Sequence, residues 1–194
     1  MRILHQVFHP DMAASRVNRI WRDQIKASGK VALSRDLYAE YPNFQIDVDR
    51  EQDLLLVHDR IVLQFPFYWY SATPLLKKWL DDVLTYGFAY GSTGDKLHGK
   101  DLQLIVSVGG QPKYYSGFGI YATIHELLRP FELTANLCGM NYQIPVWMYH
   151  ADAVSEDVIR ARGVDWVKMI DDPLRRDPRA FLDSEQDEML QNMS

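Results

Sequence analysis

The run from Ile61 to Phe65, cut off by Pro66, constrains this chain more than any other stretch. It is too short for a helix, and it reads as a strand buried on both faces. Proline ends it, because the ring removes a backbone donor and biases the preceding residue away from helix. Four aromatics follow in succession, Phe67, Tyr68, Trp69 and Tyr70. A turn cannot bury four rings against the strand that carries them, so something flat is expected to cover them. Ser71, Thr73 and Pro74 then supply polar caps and a helix-starting proline, and Leu75, Leu76, Trp79, Leu80 and Val83 recur at helical spacing. The unit is strand, aromatic loop, helix.

The same unit recurs along the chain. Ile3 to Phe8 reads as a first strand ended by His9-Pro10, and Ser15 can cap a helix carrying Val17, Ile20, Trp21 and Ile25 until Gly29 stops it. Val31 to Leu37 is a second strand, residues 49 to 58 a short helix, Arg60 to Phe65 the third strand, and Thr73 to about Thr85 its helix. After a glycine-rich excursion over residues 87 to 100, Leu102 to Val108 is a fourth strand that Gly109-Gly110 ends sharply. Tyr121 to Leu137 contains one or two helical segments interrupted by Pro130, Tyr142 to Tyr149 is a fifth strand, and Ser155 to Ile170 is a closing amphipathic helix. Five such strands alternating with helices predict an α/β fold, an open parallel sheet covered on both faces.

A chain of 194 residues, 47% of them hydrophobic, can bury one sizeable core. A single domain over residues 1–170 is expected, with the charged, breaker-rich stretch 171–194 as a surface extension or an arm onto a partner. A net charge of -5 offers no basic surface for nucleic acid, and a lone Cys138 leaves no intrachain disulfide framework and no Cys-rich metal site. No metal is expected. The N-terminal stretch has no apolar run long enough for a signal peptide, so the expectation is a cytoplasmic protein.

Three loops are unusual, and each follows a strand of this sheet. In the first, His9 to Asn18, a helix N-terminus flanked by Ser15, Arg16 and Asn18 is either a phosphate cradle or an ordinary capped helix. The aromatics of the second, Pro66 to Trp69, can hold a flat heterocycle, seal a dimer interface, or do both. In the third, Ser107-Val108-Gly109-Gly110, two glycines let backbone amides approach a ligand closely. The pattern at Gly117, Gly119 and Ala122 formally fits a dinucleotide fingerprint, but it lies several residues beyond the strand and has no acidic residue at the required distance.

The run FPFYWYSATPLLKKWLDDVL followed by GFAYG, then GK, then a strand ending in SVGG, resembles the flavodoxin-like NAD(P)H:quinone oxidoreductases. The likeness is to their short bacterial members, of the general stress protein 14 and potassium-efflux ancillary type, and it covers about residues 2 to 150. It implies a five-stranded parallel sheet in the order 2-1-3-4-5, whose ligand crevice lies beyond the carboxyl ends of strands one, three and four. It also implies a flavin cofactor, NAD(P)H as hydride donor and a quinone as acceptor, exchanged by a ping-pong cycle in one pocket; the short chain, with no added segment to hold an adenosine, favours FMN over FAD. The resemblance assigns His9, Ser15, Arg16, Val17 and Asn18 to the flavin phosphate and ribityl chain. It assigns Pro66, Phe67, Tyr68 and Trp69 to the ring system, and Ser107, Val108, Gly109 and Gly110 to its pyrimidine edge.

Tyr115 stands at the spacing of a tyrosine that assists charge relay in mammalian members, which have a histidine where this chain has Tyr121; stacking in the pocket is the other reading of Tyr115. A homodimer is expected from the aromatic content of Phe67 to Tyr70 and of Tyr86, Phe88 and Tyr90. The alternative implied by the same resemblance is a flavin-binding ancillary subunit of a membrane potassium-efflux system, peripheral at the inner face of the membrane.

Overall fold

The computed structural model describes residues 1–116, 119 and 122–171. Its strands are β1 (Ile3–Val7), β2 (Leu33–Asp36), β3 (Arg60–Pro66), β4 (Asp101–Ser107), β5 (Asn141–Tyr142) and β6 (Val146–Met148). All pairings are parallel, in the order β2-β1-β3-β4-β5, with β6 continuing beside β4. The helices are α1 (Val17–Ala27), α2 (Leu37–Glu40), α3 (Val48–Val57), α4 (Pro74–Val83), α5 (Ile124–Leu137) and α6 (Glu156–Met169).

Every residue of β1 and β3 is buried, as strands with helices on both sides must be. The period of two sorts their side chains into two cores. Ile3, Val62 and Ile105 pack under α1 and α6 with Trp21, Ile159 and Trp166. Leu4, Leu63 and Leu104 pack on the other face with Leu75, Trp79, Leu128 and Phe131. The two tryptophans meet edge to face at 5.5 Å, which locks α1 against α6. No helix among the described residues is long and apolar enough to cross a membrane.

Three elements differ from expectation. Leu37, expected to end the second strand, instead opens α2, whose cap Asp36 accepts from the Ala39 amide. The fifth strand is broken: Tyr142 pairs with Leu102, and Val146 pairs with Ile105. Four steps along one strand therefore match three along the other, so an extra residue is accommodated around Pro145, which has no N–H for the ladder. Conversely, α5 runs through Pro130 without a break. Its start is fastened by a reciprocal capping box between Thr123 and Glu126, and Leu128, Phe131 and Ala135 bury its inner face on both sides of the proline. Of the expected extension over 171–194, only Asp171 lies among the described residues, its carboxylate 2.7 Å from Lys30 Nζ.

One buried charge organises the face under α3 and α4. Glu51 is wholly buried and accepts from Arg35 at 2.7 and 2.9 Å, Tyr41 at 2.6 Å, Trp79 Nε1 at 2.8 Å and Gln6 Nε2 at 3.0 Å. Burial pushes its carboxyl up, but the Arg35 guanidinium and these other donors outweigh that and hold it below the usual carboxylate range. Trp79 belongs to the helix that leaves the aromatic loop, so this hub anchors the loop's far end.

Candidate functional site

The carboxyl ends of β1, β3, β4 and β6 open onto one edge of the sheet, and the three unusual loops meet there. The first loop turns on Asp11, whose carbonyl accepts from the Ser15 amide at 3.2 Å and whose side chain accepts from Ala14 at 3.0 Å. Helix α1 has Arg16 at its cap position, with no side-chain cap bond and no acid in its first turn. The cap falls one residue earlier, on Ser15, in the same pattern by which a side-chain oxygen caps α2, α3, α5 and α6. Ser15 Oγ accepts from the Asn18 amide at 3.1 Å, which leaves the Arg16 and Val17 amides without an acceptor among the described residues. That is a cradle suited to an anionic oxygen. The Arg16 guanidinium is engaged elsewhere, donating to the carbonyls of Asp152 and Val154, both at 2.8 Å. Val17 buries its side chain in the core, so only its backbone faces the cleft.

The aromatic loop is strained. Trp69 and Tyr70 have φ of 50° and 59°, a region that non-glycine residues rarely occupy and that clusters at functional sites. Phe67 is buried and its amide donates to the Ser107 carbonyl at 2.8 Å, stitching this loop to the next. Tyr68 lies edge-on to His9 at 6.4 Å, while Trp69 stands 93% exposed at the rim. Burial, with Asp152 adding, raises the Tyr68 phenol; burial likewise lowers the His9 imidazole, with Asp11 opposing.

In the third loop Val108 is consumed by the fold: its amide donates to Met148 and its carbonyl accepts from Ala151, both at 2.9 Å. The amides of Gly109 and Gly110 donate to no acceptor among the described residues, and neither glycine has a positive φ. The glycines are there for close approach instead. A Cβ at Gly109 would lie 2.9 Å from Asp152 Oδ2, and one at Gly110 would lie 2.8 Å from the Tyr115 ring. Tyr115 is buried between Phe67, at 6.1 Å, and Tyr149, at 5.4 Å. Its phenol is pushed up, chiefly by burial, and so stays protonated. Tyr121 lies outside the described residues.

The structure thus brings His9, Ser15, the Arg16 and Val17 amides, Phe67, Tyr68, Gly109, Gly110 and Tyr115 together at the carboxyl edge of the sheet, with Asn18 buried beneath them. Sequence reasoning missed the loop after β6, which adds Tyr149 and Asp152; the rule that ligands sit beyond strand carboxyl ends would have found it had the last strand been included. It also missed His5 and Gln64, which lead through Asn18 to Ser107 beneath the cleft.

A doubly wound parallel sheet in this order, with a cleft at its carboxyl edge, defines a flavodoxin-like protein. The sequence pattern of a family described as having the flavodoxin-like fold matches residues 1–169, and the chain belongs to that family. It is 48% identical over 172 residues to the uncharacterized NAD(P)H oxidoreductase YrkL of Bacillus subtilis, covering 87% of this chain and 98% of that one. It is 39% identical over 175 residues to the glutathione-regulated potassium-efflux system ancillary protein KefG of Cronobacter sakazakii, covering 89% and 94%. Among solved structures, general stress protein 14 of Treponema denticola in complex with FMN is 38% identical, with TM-score 0.82 over 88% of this chain and 98% of that one. An NADPH-quinone reductase of P. pentosaceus is 34% identical, with TM-score 0.77 over 88% and 97%.

Proposed function

We propose that this protein is an FMN-dependent NAD(P)H:quinone oxidoreductase acting as a cytoplasmic homodimer. What carries the reading is the convergence of a helix N-terminus with two open amides, an aromatic wall and two bare glycine amides at one edge of a fold whose relatives include an FMN complex. FMN fits these residues better than FAD, because the described residues include no added segment that would hold an adenosine. Bound there, FMN supplies the hydride chemistry that protein side chains lack.

The chain's own groups then have separable tasks. Ser15 and the Arg16 and Val17 amides hold the phosphate and ribityl oxygens, and Asn18 supports them from beneath. Phe67 and Tyr68 orient the ring plane, and the Gly109 and Gly110 amides stabilise negative charge at the pyrimidine edge, as an oxyanion hole does. Tyr115, held as a neutral phenol over Gly110, shapes the pocket and excludes water. With FMN bound there, donor and acceptor would use the one opening in turn, which makes the expected cycle ping-pong. The strained rim at Trp69 and Tyr70, with Tyr86 66% exposed, is the surface a second copy would cover.

Apo protein titrated with FMN, followed by NAD(P)H oxidation with a soluble quinone, tests this. Tight FMN binding and parallel double-reciprocal lines are expected, whereas intersecting lines would remove the shared pocket and an inability to bind FMN would remove the function. Sedimentation should give a dimer at micromolar concentration, and Trp69→Ser combined with Tyr86→Ser should give a monomer. The likeness to KefG favours a second reading, an ancillary subunit of a potassium-efflux transporter. FMN binding without quinone-dependent turnover would favour that one.

A further inference from the structure

We propose that His5, Gln64 and Asn18 form a positioning relay that holds the Ser107 hydroxyl as a hydrogen-bond donor into the cleft, toward an acceptor atom of the flavin. The inference rests on the functional reading above and assigns work to side chains that lie below the cleft rather than in it.

The relay's polarity follows from one backbone atom. Gln64 Nε2 lies 2.8 Å from the carbonyl oxygen of Asn18, which can only accept, so the Gln64 amide has one possible orientation. Its Oε1 therefore faces His5 Nε2 at 2.9 Å, and that nitrogen must carry the ring proton. His5 Nδ1 is then left to accept from Ser34 Oγ at 3.0 Å. On the other side, Gln64 Nε2 also reaches Asn18 Oδ1 at 3.2 Å, which turns Asn18 Nδ2 toward Ser107 Oγ at 2.8 Å. Ser107 Oγ is thus occupied as an acceptor, and its own proton must go onward.

Every donor from Ser34 to Asn18 points the same way. His5 and Gln64 are wholly buried, Asn18 is 1% exposed and Ser107 5%, so water cannot easily substitute for a missing link. Among the described residues nothing accepts from the Ser107 hydroxyl, which ends β4 immediately before the glycine pair. The Asn18 amide fills Ser15 Oγ in the same manner, leaving a second hydroxyl with its proton to give. One asparagine thereby sets two donors, one on each side of the cleft floor.

Two measurements decide the proposal. Nitrogen-detected NMR of the unaltered apo protein should show His5 as the neutral tautomer protonated at Nε2; a proton on Nδ1 overturns the relay. A double-mutant cycle on FMN affinity of the apo protein then asks whether Gln64 acts through Ser107. Ser107→Ala should weaken FMN by roughly three- to tenfold in the unaltered chain, the effect of one hydrogen bond, and by less than about twofold beside Gln64→Met. Equal losses in both backgrounds would make Gln64 merely structural and overturn the positioning role. Gln64→Leu, which cannot donate to the Asn18 carbonyl, should behave like Gln64→Met, and FMN affinity equal to that of the unaltered chain would also overturn it. If Gln64→Met fails to fold, the tautomer measurement still decides. Failure of the unaltered protein to bind FMN would overturn the functional reading instead, and with it the ligand this relay serves.

Discussion

A Cβ at Gly110 would sit 2.8 Å from Tyr115 Cε2 and 3.0 Å from its hydroxyl, a distance that side-chain carbons do not tolerate. Because φ there is not positive, a substitution adds no left-handed strain. The clash falls on the Tyr115 ring and therefore on the cleft. Gly110→Val should lower FMN affinity at least tenfold and depress quinone reduction with it, while apo thermal unfolding shifts by less than about 4 °C, roughly 1 kcal/mol for a domain of this size. A collapse of apo stability with normal FMN binding by the folded remainder would show that the glycine serves the turn and not the ligand. His5 makes a second residue-scale case. Burial pushes its imidazole down to about 4, against the Gln64 hydrogen bond and with help from Arg22. A neutral, tautomerically fixed ring is what the relay requires.

At the scale of elements, the sheet was legible because its central strands β1, β3 and β4, buried on both faces, read as short apolar runs, while β2 and β5 at its edges are only partly buried. Boundaries moved by a residue or two. The break near Pro145 was not legible, because the apolar pattern records which residues are buried but not how many face how many across a ladder. The relay was invisible for a different reason: His5 and Gln64 are polar residues inside apolar runs, 59 positions apart, and only the folded register brings them together. The three loops were legible because rings and glycines at strand ends are costly without a use, whereas Asp152 is an acid in a surface turn like many others. Helix α5 is where propensity lost to packing. Pro130 removes one amide, leaving the Glu126 carbonyl without its usual donor, yet it lies exposed on the outer face. Pro130→Ala should therefore raise the unfolding midpoint by several degrees, about 1–3 kcal/mol. An unchanged or lower midpoint would mean that the proline sets the helix's curvature against the sheet.

For the molecule as a whole, the depressed His5 imidazole makes stability depend on pH. The unfolded chain takes up a proton near the ordinary value of 6.5, but the folded chain does so only near 4. Between those values the unfolded state holds the extra proton, so stability is full above 6.5 and falls as pH drops toward 4, by about 3 kcal/mol. Chemical denaturation at pH 7.5 and pH 4.5 should show this loss, and His5→Gln should flatten it; an unaltered slope in that variant would place the dependence on other groups. A last consequence comes from the Arg16 guanidinium, which holds the carbonyls of Asp152 and Val154 just before Ser155 caps α6. Trp21 and Gln24 of the same helix α1 donate to the carbonyls of Ile159 and Arg160. The rim of the cleft and the last described helix are thus fastened to one strut, so local opening of α6 must first loosen α1. Saturating the protein with FMN should slow amide hydrogen exchange across residues 156–162, which touch no part of the cleft, and leave α3, on the opposite face, exchanging at its own rate.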